Sequence, residues 1–393
     1  MRQLQADPGK IVLLARCQRI LIASIVRGEQ RIASAKRSMT HTISVLKNGR
    51  LNKEFAQMAR ARIDDYQAAI EALDWANYVW RCFGDAIAFT YLDKFALKQV
   101  LFDSAGKEKQ QAGALSGKEG FEAELTLLHE LLSKGVPALL TDLTNTIRHG
   151  DVCVLVGPDP ILIEAKLSER LNKRGKKQVA AIQELHEFFE EDRAADFRGL
   201  GEARRRSIPI PEVSYLKELN YCLVSAVRDG SAVATPEPGL YYVAISDKAI
   251  RMEDVFNDID LEGTSIVYLN AIKSSRDWAP YMPFVNSIES WRHLLAFIKG
   301  ELAIIVCFKW DKVLESSRER GFQIEAGEAG SFLIKQESSG LTLVMSAAMF
   351  RRAVIEFVSP RRIFEMAEQV LVTTGPSKES ANGNESGGDR ELQ

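Results

Sequence analysis

The sequence predicts an α/β protein with a helical N-terminal region and an α+β C-terminal region. Apolar residues recur at helical spacing through the first hundred residues, and β-rich segments flanked by helical patterns follow between residues 118 and 250. After residue 250, short strand patterns alternate with helical ones. A chain of 393 residues is longer than the roughly 250–300 residues at which single cores stop growing, so two or three domains are expected.

Composition limits the classes of partner and of cellular setting. The net charge is −2, from 51 Lys and Arg against 53 Asp and Glu, so a nucleic-acid partner would need a local basic patch. The five cysteines form no C-x-x-C pair, which argues against a zinc ribbon and a dense disulfide framework. No apolar stretch reaches the roughly 18–20 residues of a membrane span, and the segment MRQLQADPGK does not resemble a secretion signal. These features predict a cytoplasmic protein with no membrane partner.

Residues 1–103 are predicted to form a helical N-terminal region. Apolar residues follow helical periodicity from Ile11 to about Val45 and again from about Leu51 to Val100, with a break at Asn48-Gly49. The second stretch is rich in aromatic side chains: Trp75, Tyr78, Trp80 and Phe83. Aromatics at this density indicate a packed core or an oligomer face. We therefore expect these helices to serve self-association or regulation, with a homodimer as the expected oligomer.

The segment 118–250 is predicted to be an α/β core, preceded by a polar loop at 104–120. The helix FEAELTLLHELLSKG ends at Gly135 and is followed by the short extended piece VPALL. Two strands, DVCVLV and ILIEAK, come next, with turn residues between them. The helix KKQVAAIQELHEFFEED, a joint at Pro209 and Pro211, a helix around VSYLKELNYCLVSAV and the strand LYYVAIS complete this segment.

Residues 251–374 are predicted to form an α+β C-terminal region, and residues 375–393 a disordered tail. The strand patterns are SIVYLN, LAIIVCF, SFLIK and LTLVMS, with helices near Ile288–Ile298 and Pro360–Val370. The tail, GPSKESANGNESGGDRELQ, holds almost no apolar side chains and therefore cannot contribute to a core.

The segment GDVCVLVGPDPILIEAK, residues 150–166, predicts a hairpin with a cluster of ionisable groups. If residues 157–160 form a four-residue loop, Val156 faces Ile161, Cys153 faces Glu164 and Asp151 faces Lys166. Directly opposed residues share a face of the sheet, so Asp151, Cys153, Glu164 and Lys166 should point the same way.

Such a cluster suits phosphodiester hydrolysis. Mg²⁺ is typically held by one or two carboxylates with waters and substrate phosphate, and Asp151 and Glu164 would provide those carboxylates. Lys166 would orient or help deprotonate the attacking water. Asp142 could replace Asp151 as the ligand if the strand register differs. An ordinary ion pair between Asp151 and Lys166 on a solvated sheet face is the alternative reading.

The order of helix, short strand, Asp-bearing strand, turn, Glu-x-Lys strand and helix resembles the restriction-endonuclease-like, or PD-(D/E)XK, core. The resemblance covers about residues 118–250. Asp151 matches the acidic residue of the second core strand, although Gly150 stands in place of the family's proline. Glu164 and Lys166 match the Glu-x-Lys motif. The fold that this resemblance implies is a mixed sheet flanked by helices.

The resemblance also implies two supporting catalytic residues. A glutamate on the first core helix would be Glu124, with Glu122 or Glu130 as less favoured choices. A glutamine at the start of the helix after the lysine strand would be Gln178. All the residues matched to this family together imply a nuclease that depends on Mg²⁺ or Mn²⁺ and hydrolyses DNA phosphodiester bonds.

Local basic runs at residues 166–177 and 203–207 lie close to the predicted site. They would supply the positive charge for phosphate contacts that the chain as a whole lacks. The residues proposed to contact nucleic acid are Arg148, Lys173, Arg174, Lys176 and Lys177. Solvated loops are the alternative for these runs, and a surface turn is the favoured interpretation of the neighbouring His149.

Several functions remain open from the sequence. The main hypothesis is a DNA nuclease, with defence against foreign DNA as its setting and a partner protein as a further component. The alternatives are a nuclease for RNA or branched DNA, a non-catalytic nucleic-acid-binding or assembly protein that keeps the nuclease fold, and a structural interaction protein built around the N-terminal helices. The sequence contains no G-x-x-x-x-G-K-[ST] phosphate loop, H-E-x-x-H or G-x-S-x-G motif.

Overall fold

The computed structural model describes residues 1–49, 51–102, 113–165, 173–198, 201–206, 210–257 and 259–374. The predicted combination of helices and sheets is confirmed. The chain divides into two compact units, residues 1–206 with 271–298, and residues 207–270 with 299–393. The helical region and most of the segment 118–250, predicted as separate regions, therefore belong to one unit. The tail 375–393 lies outside the described residues. Within the described ranges, no helix is long and apolar enough to cross a membrane.

The elements up to residue 206 are α1 (Arg2–Ala6), α2 (Ile11–Asn48), α3 (Lys53–Tyr91), α4 (Lys94–Gln99), α5 (Phe121–Ser133), β1 (Ala138–Leu140), a short 3₁₀ helix (Thr141–Leu143), β2 (Val152–Val154), β3 (Ile161–Ile163), α6 (Lys173–Glu191), β4 (Arg193–Ala194) and β5 (Ala203–Arg204). The remaining elements are α7 (Leu216–Asp229), β6 (Ser231–Glu237), β7 (Leu240–Ile245), α8 (Met252–Phe256), β8 (Thr264–Tyr268), α9 (Leu269–Ser275), α10 (Phe284–Ser287), α11 (Trp291–Lys299), β9 (Ala303–Lys309), α12 (Trp310–Val313), α13 (Glu315–Glu319), β10 (Phe322–Ala326), a short 3₁₀ helix (Glu328–Gly330), β11 (Phe332–Gln336), β12 (Thr342–Met345), α14 (Ala347–Ile355) and α15 (Pro360–Thr374).

Helices α2 and α3 form a long helical hairpin with the predicted break after Asn48. They contain 38 and 39 residues, which corresponds to about 57 Å each. The side chain of Asn52 caps the start of α3 by accepting from the backbone N–H of Phe55. Buried Leu14, Leu21 and Ile25 of α2 belong to the same hydrophobic core as the sheet β1–β2–β3. Two of the aromatic residues singled out in α3, Trp80 and Phe83, pack against this core.

Strands β1, β2 and β3 form an antiparallel sheet in that order. In the described part of the chain every ladder is antiparallel, which differs from the mixed sheet that the resemblance implies. Parallel pairing needs a crossover of a dozen or more residues, whereas β2 and β3 are joined by a short turn. The outer edge of β1 is closed by buried Gln18 of α2, whose side-chain amide donates to the Ala138 carbonyl at 2.8 Å and accepts from the Leu140 N–H at 3.2 Å.

The predicted hairpin exists, but its register was wrong by two residues. Cys153 lies opposite Leu162 and not opposite Glu164, so the connection is the six-residue segment 155–160. The longer connection is held by tertiary contacts, because the Pro158 carbonyl accepts from Asp93 and the Asp159 carboxylate from Arg205. A shift of two residues keeps every side chain on its predicted face, since the side-chain period of a strand is also two.

Helix α3 fixes the segment between β1 and β2 through two adjacent residues. At Gly84 the Leu143 carbonyl approaches so closely that an added Cβ would lie 1.8 Å from its oxygen. Buried Asp85 accepts hydrogen bonds from the backbone N–H groups of Asn145 and Thr146, at 2.8 and 2.9 Å, and from the Asn145 side chain at 2.9 Å. Burial raises the pKa of Asp85, and these bonds partly offset that effect.

The second unit contains a four-stranded antiparallel sheet in the order β6–β7–β9–β8 and a three-stranded sheet in the order β10–β11–β12. Strands β6 and β10 were not among the predicted strands. Its interior includes an ion pair between Arg352 and Glu356, which are both 1% exposed and 2.7 Å apart. Glu212 also pairs with Arg352, so the buried guanidinium has two carboxylate partners.

We expect Gly84→Ala to destabilise the protein by about 3 kcal/mol, because the added Cβ fits only if α3 or the Leu143 backbone moves. Urea unfolding followed by circular dichroism measures the change. Gly9→Ala is the matched control, since its added Cβ would meet its nearest neighbour at an ordinary 3.6 Å, and should change stability by less than about 0.5 kcal/mol. Equal unfolding midpoints for Gly84→Ala and wild type would contradict this packing.

Candidate active site

Three carboxylates converge on one lysine at one end of the β1–β2–β3 sheet, the edge where β1 ends and β2 begins. The Lys118 ammonium lies 2.8 Å from a Glu124 oxygen, 2.8 Å from Asp142 Oδ2 and 3.3 Å from Asp151 Oδ1. Glu124 is 4% exposed, and the Asp142 and Asp151 side chains are 18% and 12% exposed. The cluster is therefore largely buried, and one ammonium serves three acidic groups.

The topology of the sheet explains why these carboxylates meet. Asp142 follows the end of β1 and Asp151 precedes the start of β2, and antiparallel neighbours place these two ends at the same edge. The Thr141 N–H continues the ladder by donating to the Asp151 carbonyl at 3.0 Å. Glu124 comes from the first turn of α5, the helix that immediately precedes β1.

The loop that carries Lys118 is held by α2 and α3. Glu29 of α2 accepts from the backbone N–H groups of Leu115 and Ser116, at 3.2 and 2.7 Å. Arg81 of α3 pairs with Glu29 at 3.2 Å and donates to the carbonyls of Gly113, at 3.2 Å, and of Asp142, at 3.0 Å. The N-terminal helices, expected to serve self-association or regulation, thus position the groups of the site.

The electrostatics follow from burial and from the crowding of like charges. Burial raises the pKa of the Glu124 carboxyl from its ordinary 4.5 to about 7; Lys118 opposes the rise, and the charge of Asp151 adds to it. Burial also disfavours the charged form of Lys118, but its carboxylate partners outweigh this and raise its pKa. The lysine therefore stays protonated at neutral pH, whereas the Glu124 carboxyl holds its proton to a higher pH than an ordinary glutamate does.

Glu164 lies just beyond the end of β3, at the same edge. The Ala165 N–H donates to Asp151 Oδ2 at 2.9 Å, which brings the end of this strand to the cluster. Gln178 of α6 donates to Glu164 Oε2 at 2.7 Å. Helix α6 is anchored to β3 by His186, whose Nε2 accepts from the Leu162 N–H at 3.0 Å, and burial lowers the pKa of this imidazole.

The remaining predicted residues fall into different environments. Lys166 lies outside the described residues, as do the side chains of Lys173 and Arg174 at the start of α6. Lys176 and Lys177 are exposed in the early turns of that helix.

Arg148 and His149 are directed into the protein. Arg148 donates to the Thr144 carbonyl at 3.1 Å, and its charge lowers the pKa of buried Asp85. A nucleic-acid contact for Arg148 would have to compete with these interior contacts. His149 is 2% exposed, and its Nε2 lies 2.6 Å from the Phe102 carbonyl. The expectation that His149 is a surface turn residue is therefore wrong, because the side chain is buried.

A polar cavity of about 560 Å³ adjoins the carboxylates, because Arg81 and Gly113 line it and also contact Asp142. Tyr78 and Asn77 contribute to its wall. Its charged lining side chains are Glu29, Asp74, Asp277, Lys36, Arg81 and Arg276. The cavity offers hydrogen-bonding groups and an aromatic ring beside the cluster, with no excess of either charge.

Sequence reasoning missed Lys118 and weighed Asp142 only as a substitute for Asp151. Lys118 stands in a polar loop without periodicity, and its partners are 6, 24 and 33 residues away along the chain. A lysine in such a loop carries no local signal of burial. Asp142 had a signal, since it follows a predicted strand directly, but the pairing of β1 with β2 was needed to place it beside Asp151.

The donor chemistry of the cluster fits a hard divalent cation, since carboxylate oxygens are the ligands that Mg²⁺ prefers. Within the described ranges, no group of three or more His, Cys, Asp or Glu side chains is arranged to hold a metal ion as it stands. The carboxylates are instead arranged around the Lys118 ammonium. A cation could use these oxygens if the ammonium gave way.

Comparison with protein-family models, with curated proteins and with solved structures finds no match to this chain.

We expect Glu124→Gln to flatten the dependence of stability on pH between about 4.5 and 7. The folded state holds the Glu124 proton more tightly than the unfolded chain does. This group therefore favours the fold most below pH 4.5, and that contribution is lost as the pH rises through about 7. Urea unfolding at a series of pH values measures the effect, with Glu130→Gln, an exposed residue of the same helix, as control. Parallel profiles for wild type and Glu124→Gln would contradict the assignment.

Proposed function

We propose that this protein is a metal-dependent nuclease that hydrolyses DNA phosphodiester bonds at the sheet edge occupied by Asp142, Asp151 and Glu164. The observation that carries the proposal is the convergence of Asp142, Asp151 and Glu124 at one edge of the sheet, with the backbone that follows Glu164 bonded to Asp151. Such a concentration of buried acidic groups destabilises a fold unless a cation compensates it. A restriction-endonuclease-like core is part of the same proposal, supported by the element order α5, β1, β2, β3 and α6.

The residues of the site would have three roles in hydrolysis: holding the cation, orienting a ligand and orienting the attacking water. Asp142, Asp151, Glu124 and Glu164 would hold Mg²⁺ or Mn²⁺, and Gln178 orients Glu164 through its hydrogen bond. When bound, the cation supplies charge stabilisation for the phosphate and a lower pKa for water. Lys166, two residues after Glu164, would orient the attacking water and offset charge that develops on the phosphate.

Features beside the carboxylates support a nucleic-acid substrate. Exposed Lys176 and Lys177 lie near the start of α6, where the helix dipole also favours a phosphate. The cavity beside Arg81 offers a polar recess lined by Tyr78, with room for a nucleotide next to the carboxylates. RNA and branched DNA present the same phosphodiester chemistry and are the alternative substrates.

A second candidate function is non-catalytic nucleic-acid binding or assembly by a protein that keeps the nuclease fold. The specific observation in its favour is the Lys118 ammonium, which already compensates the three carboxylates. In that case the cluster is a structural ion-pair network, and nucleic-acid affinity would not depend on a divalent cation.

We expect the full chain to cut plasmid, linear duplex or single-stranded DNA in Mg²⁺ or Mn²⁺ and not in EDTA, with RNA tested alongside. Asp151→Asn, Glu164→Gln and Lys166→Ala should each reduce the rate by about a hundredfold or more, because each removes a group that acts in the chemical step. Gln178→Ala should cost about 10- to 100-fold, as expected when a group that orients a metal ligand is lost.

Glu187→Gln is the matched control, an exposed carboxylate on α6 that is expected to keep wild-type activity. Circular dichroism and unfolding midpoints establish that each variant is folded. No cutting by wild type in any cation, together with unchanged nucleic-acid affinity in the folded variants, would favour the non-catalytic function.

A further inference from the structure

We propose that Lys118 is a tethered counter-cation, whose ammonium occupies the place of a divalent cation among Glu124, Asp142 and Asp151 and must leave when the cation binds. This inference rests on the proposed function, because it concerns the same carboxylates. It adds Lys118, which was not among the predicted site residues. This lysine holds the ligands in a converged arrangement before the cation arrives.

The geometry supports an exchange more than a permanent network. All three carboxylate contacts lie between 2.8 and 3.3 Å from one nitrogen, so a single departing group frees an oxygen on each acidic side chain. The Lys118 side chain is 28% exposed, whereas the carboxylates lie deeper, at 5% to 18%. Solvent therefore reaches the lysine first, and the lysine can leave toward solvent.

The Lys118 side chain can move while its backbone stays in place, because a flexible four-carbon stem joins the ammonium to the backbone. Gly117 and Gly120 flank it with φ angles of 74° and 93°, conformations that glycine adopts without the strain of other residues. An added Cβ at Gly117 would meet nothing within 4 Å, so the loop has free space on that side. By contrast, Asp142 and Asp151 adjoin strands whose backbones are fixed by ladder hydrogen bonds. The exchange therefore requires movement of the lysine side chain and none of the backbone that carries Asp142 and Asp151.

Mn²⁺ binding to the full chain tests the exchange without relying on cleavage. Lys118→Met removes the competing charge while retaining a long apolar side chain, and we expect it to tighten the Mn²⁺ dissociation constant about tenfold, measured by titration calorimetry at low salt. Lys118→Arg keeps the charge and should stay close to wild type. Lys134→Met, an exposed lysine at the end of α5, is the matched control and should not change the affinity.

A second measurement uses wild-type protein and does not depend on a variant that folds. Acetylation of lysine side chains, read by mass spectrometry, should increase several-fold at Lys118 when Mn²⁺ is added and stay constant at Lys134. In Asp151→Asn this increase should disappear. Constant labelling of Lys118 while Mn²⁺ binds, or an unchanged or weaker Mn²⁺ affinity in Lys118→Met, would overturn the inference.

The two proposals fail in different ways. Exchange at Lys118 without cleavage of any nucleic acid would remove the nuclease function and leave a cation site with a tethered lysine. Cleavage that needs Asp151 and Glu164, with Lys118 labelling unaffected by Mn²⁺, would leave the nuclease and remove the exchange. Absence of Mn²⁺ binding in both wild type and Lys118→Met would overturn the exchange.

Discussion

The compensation of buried carboxylates by one ammonium is the constraint on which the rest of the site depends. Two like charges 4 Å apart repel by about 4 kcal/mol at an effective dielectric constant of 20, so converged acidic side chains scatter unless a cation holds them. Lys118 supplies that charge for Glu124, Asp142 and Asp151. The compensation is incomplete, because burial and the neighbouring charges still raise the pKa of Glu124 to about 7. The site is therefore stable with its lysine in place, and it retains an excess of negative charge.

The scaffold that maintains this arrangement is the helical hairpin together with the small sheet. Helix α3 holds the segment after β1 through Gly84 and Asp85. Its Arg81 donates to the Gly113 carbonyl in the loop that carries Lys118. Helix α2 closes the edge of β1 with Gln18. A three-stranded sheet of three-residue strands is too small to be stable alone, so these helical contacts make the position of each carboxylate definite.

The sequence predicts the elements of this site better than their arrangement. Strands β2 and β3 and helices α5 and α6 follow from local periodicity, and the sequence order places Gln178 in the helix that follows β3. The register of β2 and β3 was wrong because Asp93 and Arg205, which hold the turn, are distant in sequence. The helices were assigned to a separate region because their apolar periodicity shows that each has a buried face but not which element covers it. Their polar contacts with the sheet and with the segment after β1, through Gln18 and Asp85, give no hydrophobic signal. A hydrophobic pattern treats such residues as exposed.

The charge balance of the cluster connects its resting state with cation binding. When Glu124 is protonated, the ammonium and that proton together carry two positive charges among three carboxylate groups. A divalent cation that replaces both would leave the local net charge unchanged, so no new charge would be buried by the exchange. The cost of binding would then lie in desolvating the cation and displacing the Lys118 side chain, and the backbone beside Asp142 and Asp151 would not need to rearrange.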